Sequence, residues 1–188
     1  MARKLINIPN SVLRMKSKKI GFVDDSIRAL AEEMIQTTLD YDKESEIGAA
    51  LAAVQIGEPL RLTVVRDDYE HGDGEAFSTY INPEIVKASD EMVEDVEGCM
   101  SVAGIYGKVK RHLKIKVKAQ DVDGNQIRLT LEGFPARVFQ HEIDHMNGII
   151  FLDHVTDSSK LLAVDKNGQL KPMKEIPNDI QDELSHSH

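Results

Sequence analysis

His141-Glu142-Ile143-Asp144-His145 places two imidazoles four residues apart, with a carboxylate directly after the first. On a helix, positions i and i+4 share a face, so both rings can reach one metal ion while Glu142 leans over a water bound there. The flanks agree with a helix over roughly 135–147. Phe134-Pro135 offers an entry with proline in the first turn, and Gly148 stands where a helix end calls for a left-handed residue. Val138 lies on the histidine face, whereas Phe139, Ile143 and Met146 lie on the opposite one, so the helix is predicted to be buried on two sides. Buried histidines need partners. An exposed helix with two solvated histidines is the alternative, and it leaves the apolar flanks unexplained.

Two ligands do not close a metal site. A metzincin-type continuation, H-x-x-G-x-x-H, is excluded because Phe151 occupies the final position. A glutamate from a later segment would be Glu175 or Glu183, both in a short polar stretch. The remaining strong ligand is Cys99, the only cysteine of the chain, in Glu97-Gly98-Cys99-Met100-Ser101. A lone cysteine is more often a small buried hydrophobe, so residue type alone leaves both roles open. Upstream, Gly48-Ala49-Ala50-Leu51-Ala52-Ala53-Val54-Gln55 is a run of small residues ending in an amide, suited to close approach of backbone to a ligand.

Taken in order, these three stretches resemble the signature motifs of the peptide deformylases, G-x-G-x-A-A-x-Q, E-G-C-x-S and Q-H-E-x-D-H, the last carried by Gln140 to His145. The resemblance extends to 5–13, to Ile81-Asn82-Pro83-Glu84 and to Asn147-Gly148-Ile149-Ile150-Phe151, most of the chain. It implies that Cys99, His141 and His145 bind one divalent metal, with water in the fourth position, and that Glu142 is the general base and acid. It also implies that the Gln55 side-chain amide and the Met100 backbone N–H receive the developing oxyanion. The implied activity is removal of the formyl group from N-formylmethionyl nascent polypeptides, releasing formate. Ferrous iron is the implied metal in cells, with zinc, nickel or cobalt able to take its place after purification; a thiolate ligand admits both iron and zinc.

One position departs from the motifs: Ala50 stands for the second glycine of the first, where backbone passes close to substrate. Ala50 and Gly98 are therefore the candidate substrate-binding positions, and altered affinity or specificity is the expected consequence of the added methyl. An ungapped comparison puts Tyr106 where many bacterial members carry an arginine that helps hold the peptide. Glu97 and Arg111 resemble a charge pair that braces the cleft. Asp144 is read either as an acceptor for a ligand histidine or as a solubilising surface charge. Two rival functions are an H-E-x-x-H endopeptidase, which needs no formyl group, and a metal-binding homologue without catalysis, against which Glu142 argues.

The 188 residues carry 32 acidic and 23 basic side chains, net charge −9, which disfavours wholesale binding to nucleic acid. One cysteine permits no internal disulfide, as expected in a reducing cytoplasm. No apolar run suits a membrane span, and Met1-Ala2-Arg3-Lys4 leads straight into family-like sequence, so a cytoplasmic bacterial enzyme is expected. Asp24, Asp25 or Ser26 can cap a helix to about 39 whose face of Ile27, Leu30, Ala31, Met34 and Thr38 reads as core. Strand-like runs follow at 62–65, 81–88, 113–119 and 127–131, the last two joined by Asp123-Gly124-Asn125. The predicted fold is α+β, mostly antiparallel sheets around a buried helix carrying the metal motif, with one catalytic domain over 1–170 and a polar, flexible tail over 171–188. Polar stretches 42–46 and 67–75 are expected loops. Lys108, Lys110, Arg111, Lys114, Lys116 and Lys118 alternate with apolar residues, as on the solvated face of a strand. The tail is net acidic, which gives no support to ribosome docking by a basic helix, although proximity to the ribosome is compatible with the substrate. His186 and His188 read as loose tail residues.

Overall fold

Where the sequence alternates or runs β-branched, the computed structural model, which describes residues 2–44, 47–68, 74–165 and 167–185, places antiparallel strands. The first helix, α1 (Asp25–Glu44), starts where Asp24 Oδ1 accepts from the backbone N–H of Ser26 at 3.0 Å and of Ile27 at 3.1 Å, satisfying orphan donors of the first turn. Its predicted face is core: Leu30, Ala31 and Met34 are buried against Leu51, Leu62, Val64 and Ile81. The helix runs beyond the expected end, taking residues 42–44 from the predicted loop 42–46, while 45 and 46 lie outside the described residues. Of the predicted loop 67–75, residues 69–73 likewise lie outside them.

A five-stranded sheet follows, with strands β1 (Ala50–Ala52), β2 (Leu62–Arg66) and β3 (Phe77–Ala88) at one side. A hairpin of β4 (Met92–Cys99) and β5 (Val102–His112) belongs to a second sheet, and β6 (Lys114–Gln120) with β7 (Gln126–Glu132) completes the first in the order β1-β2-β3-β6-β7. The turn Asp123-Gly124-Asn125 joins β6 to β7 as read, with Gly124 at φ 82°. The metal-motif helix α2 (Phe134–Met146) comes next, then β8 (Leu161–Val164), β9 (Leu170–Pro172) and α3 (Asn178–Ser185). The second sheet has the order β4-β5-β8-β9, and the ladders of both sheets are antiparallel.

The β4–β5 hairpin is the largest element that periodicity misses. Four consecutive residues of β4, from Met92 to Asp95, are exposed, so burial imposes no alternation there. The register pairs the strands by charge instead, setting Glu94 opposite Lys110. Lys108, Lys110, Lys114 and Lys116 point to solvent as expected, but Arg111 of the same run is buried.

The flexible tail expected from 171 onward is corrected by β9 and α3. Leu170 pairs with Val164, and Ile180 is buried in a cluster with Phe151, Leu152 and Leu161. Arg14 clamps this end, reaching Asp153 at 2.5 and 3.0 Å and also binding Glu183, so Glu183 is committed to an ion pair away from the histidines. Apolar spacing at Ile176, Ile180 and Leu184 carries the signal for this helix; the surrounding acidic residues mask it. His186 and His188 lie outside the described residues.

Helix α2 stops at Asn147, and Gly148 follows in the left-handed region at φ 76°. Its Cα lies against the backbone of Arg14, where a Cβ would stand 2.4 Å from the carbonyl oxygen. Gly148→Ala is therefore expected to cost about 3 kcal/mol and to lower Tm by roughly 6–12 °C in thermal unfolding. An unchanged Tm would mean that the Arg14 segment yields freely to the methyl.

Candidate metal centre

Helix α2 threads between the sheets with its histidine face turned to the end of the β4–β5 hairpin. Val138 is buried on the histidine face and Ala136, Phe139, Ile143 and Met146 on the remaining sides, so the helix is covered as its flanks predict. The hairpin brings Cys99 to the helix: a register shift between Gly98 and Cys99 ends the regular ladder, and Met100-Ser101 turns the chain into β5. His145 Nε2 lies 3.3 Å from Cys99 Sγ and 3.1 Å from His141 Nε2, and the three ligand atoms fall within 4.8 Å of one another.

A metal ion fits this donor set. Metal–nitrogen distances near 2.0–2.1 Å and metal–sulfur distances near 2.3 Å put the edges of a tetrahedral site at roughly 3.3–3.6 Å, close to the spacing here. Burial lowers the pKa of His145 and so favours the neutral form a ligand requires. His141 is oriented from behind by Glu97 Oε2, 3.0 Å from Nδ1, which leaves Nε2 for the ligand side. The ring of Phe151 stacks on His141 with centroids 6.3 Å apart, so the residue that excluded a third histidine serves as a wall.

Glu97 is the hub beneath the site. The predicted pair with Arg111 is a fork of two bonds, 2.9 and 3.0 Å, and Arg137, which sequence reading passed over, adds a third at 2.7 Å. Burial works to raise the Glu97 pKa, but hydrogen bonds from His141 and Arg111 outweigh it and hold the carboxyl well below the usual range. Asp144 binds no ligand histidine and is not a free surface charge. It accepts from Arg111 and lies 2.7 Å from His154 Nε2, supporting His141 only through Arg111 and Glu97.

On the other side of the ligands, the orientation of Gln55 follows from its neighbours. Its Oε1 accepts from Ala52 N–H at 2.9 Å, so Nε2 must point the other way, where it lies 3.1 Å from Ser101 Oγ and 3.5 Å from Cys99 Sγ. Glu142, the residue after the first ligand, is buried, and desolvation pushes its pKa up to about 7. These groups open onto a cavity of about 230 Å³ bordered by Ala50, Gly98, Met100 and Tyr106. Ala50 sits in an extended strand with its neighbours paired to β2, so the extra methyl needs no unusual backbone and acts only by filling space. Gly98 is fixed by Tyr106, whose Cε1 would be 2.7 Å from any Cβ added there.

The structure thus brings together Cys99, His141, His145, Glu142, Gln55, Met100, Ala50 and Gly98, drawn from three distant stretches of sequence. Sequence reading gave no role to Ser101 and Thr63, which touch Gln55 and Glu142, or to Arg137 and His154, which reach the site only through Glu97 and through Arg111 and Asp144. A half-buried thiol and two imidazoles meeting beside a buried carboxyl in an open cavity define a metal-centred hydrolase.

Comparison with known proteins agrees with that class. The polypeptide deformylase family matches residues 2–161. The chain is similar to a peptide deformylase of Thermomicrobium roseum, 43% identical over 85% of this chain and 89% of that one. It is also similar to one of Brucella suis, 37% identical over 87% of this chain and 90% of that one. The crystal structure of a peptide deformylase from Legionella pneumophila superposes with a TM-score of 0.74 at 40% identity, covering 83% of this chain and 87% of the other. The chain belongs to the polypeptide deformylase family, and membership makes it a metal-dependent hydrolase that removes N-formyl groups from polypeptides.

Proposed function

We propose that Cys99, His141 and His145 hold one divalent ion, ferrous iron in the cell, and that Glu142 and Gln55 act on the formyl group of an N-formylmethionyl nascent chain beside it. The observation that carries this reading is convergence: the Glu142 carboxyl and the Gln55 amide line one cavity together with Cys99 and His141 of the ligand cluster. The ion would supply Lewis acidity and a water whose pKa is brought to about 7. A thiolate beside two imidazoles suits iron and zinc alike, so the choice of iron rests on the family resemblance.

The protein's own groups do the rest. Glu142 takes a proton from the attacking water and returns it to the departing amine, tasks suited to a carboxyl whose pKa lies near neutrality. Gln55 Nε2, held by Ala52 and Ser101, donates to the formyl oxygen as charge develops on it, and the Met100 backbone N–H donates from the hairpin turn. Val102, Ile105 and Val138 offer apolar surface for the methionine side chain, while Ala50 and Gly98 border the passage of the peptide backbone. Nascent chains in the cytoplasm of a bacterium are the fitting substrates. Among the described residues no helix is long and apolar enough to cross a membrane. Residues 1–170 form the catalytic domain in this reading. Encounter with the ribosome would be transient, because α3 is committed to the protein's own core.

The test is formate release from a formyl-Met peptide by protein prepared anaerobically with ferrous iron. Removing the metal with a chelator is expected to abolish release, and restoring it to recover it. Cleavage of internal bonds in an unformylated peptide, without formate, would overturn the reading in favour of an endopeptidase.

A further inference from the structure

Thr63 is the one polar side chain among Leu62, Thr63, Val64 and Val65, a run of strand β2 that is wholly buried. Valine has nearly the same shape and would fill the position without burying a hydroxyl, whose desolvation must be offset by bonding. The hydroxyl reaches Leu51 O at 3.0 Å and Glu142 Oε2 at 3.4 Å. Thr63 is thereby the hydrogen-bonding partner of the Glu142 side chain among the described residues, and it stands opposite Ala52, whose N–H orients Gln55. The same strand position underlies both proposed reacting groups.

We propose that Thr63 is a positioning residue for Glu142, an inference that rests on the role assigned to Glu142 above. Its hydroxyl anchors Oε2 and leaves Oε1 to exchange the proton with water and amine. Leu51 O, Val64 O at 3.4 Å and Glu142 compete for one hydroxyl hydrogen, and a rotation about the Cβ–Oγ bond passes it among them without breaking any covalent bond. When the carboxyl is ionised the hydroxyl donates to it. When Glu142 carries on Oε1 the proton taken from water, Oε2 is still an acceptor, but a weaker one, and the hydroxyl can turn to Leu51 O. The 3.4 Å separation is long for a hydroxyl bond, as catalytic bonds often are before substrate closes the site.

The experiment compares Thr63→Val, which keeps shape and removes the hydroxyl, with Thr63→Ser, which keeps the hydroxyl and removes a methyl. Thr63→Val is expected to lower kcat on a formyl-Met peptide about 10- to 100-fold, with KM and bound metal unchanged, and Thr63→Ser to restore most of the rate. In a Glu142→Gln background the Thr63→Val change should cost little further, because the group it positions is gone. If Thr63→Val fails to fold, Thr63→Ala takes its place in the same comparison. Normal kcat in Thr63→Val, an equal loss in Thr63→Ser, or a full additional loss in the Glu142→Gln background would each overturn the inference. High activity of Glu142→Gln alone would instead remove the reading on which it rests.

Discussion

Replacing Glu142 by glutamine is expected to lower kcat by about a thousandfold to ten-thousandfold while metal content stays at one ion per chain. The amide matches the carboxyl in shape, so its packing and the bond with Thr63 survive, but it neither accepts the proton of water nor returns one. The side chain is 4% exposed, and a carboxylate there is desolvated, which is why its pKa rises to about 7. Near neutrality such a group is available both as base and as acid, and the amide is neither. Stability should not suffer, since glutamine removes a desolvated charge; Tm is expected to equal or exceed that of the parent. Turnover on a formyl-Met peptide, metal analysis and thermal unfolding together check the prediction. A variant that turns over at near-normal rate would remove Glu142 from the mechanism.

The parts of this site that sequence made legible are those fixed by local spacing or by the family's motifs. His141 and His145 declare themselves because a helix repeats every 3.6 residues, and Pro135 and Gly148 mark the ends of that helix in the chain itself. Long α1, β6 and β7 show through because each buries a periodic face, and β2 shows through as a short apolar run, whereas β1, three small and wholly buried residues, carries no period. Cys99 was ambiguous by residue type, and only the order of three motifs singled it out. What stayed hidden was set by pairing across the fold. Strand β4 is mostly exposed and β5 is broken by Gly104 and Gly107, so neither carries a clear period. Gly107 is explained only by Phe151 and Val155, which lie against it from 44 or more positions later in the chain. Arg137 had a local signal, a guanidinium within an otherwise buried helix, which demands a carboxylate somewhere. The carboxylate it finds, Glu97, is 40 residues away, a pairing that no helical or strand period encodes.

That pairing sets the second large effect: Glu97→Ala is expected to destabilise the protein by about 3–5 kcal/mol and to weaken metal binding about 10- to 100-fold. Glu97, Arg111 and Arg137 are 5%, 5% and 6% exposed, so removing the carboxylate strands two guanidiniums away from water. Arg111 keeps Asp144, and Arg137 keeps the carbonyls of Val109 and Val93, which limits the loss without neutralising the charge. Meanwhile His141 loses the acceptor at its Nδ1 and with it the constraint that aims Nε2 at the ligand side. The surface pair Lys114–Glu132 provides the contrast. Its side chains are 52% and 58% exposed, so breaking it should cost at most about 1 kcal/mol. Glutamine at position 97 should fall between, because its oxygen can accept from one arginine while its NH2 opposes the other donors. Thermal unfolding reads the first effect as a Tm lower by roughly 6–20 °C, and competition with a chelator reads the second. If Glu97→Ala loses stability but holds metal as tightly as the parent, the carboxylate serves the arginines alone, and the orientation of His141 must come from the packing of Phe151.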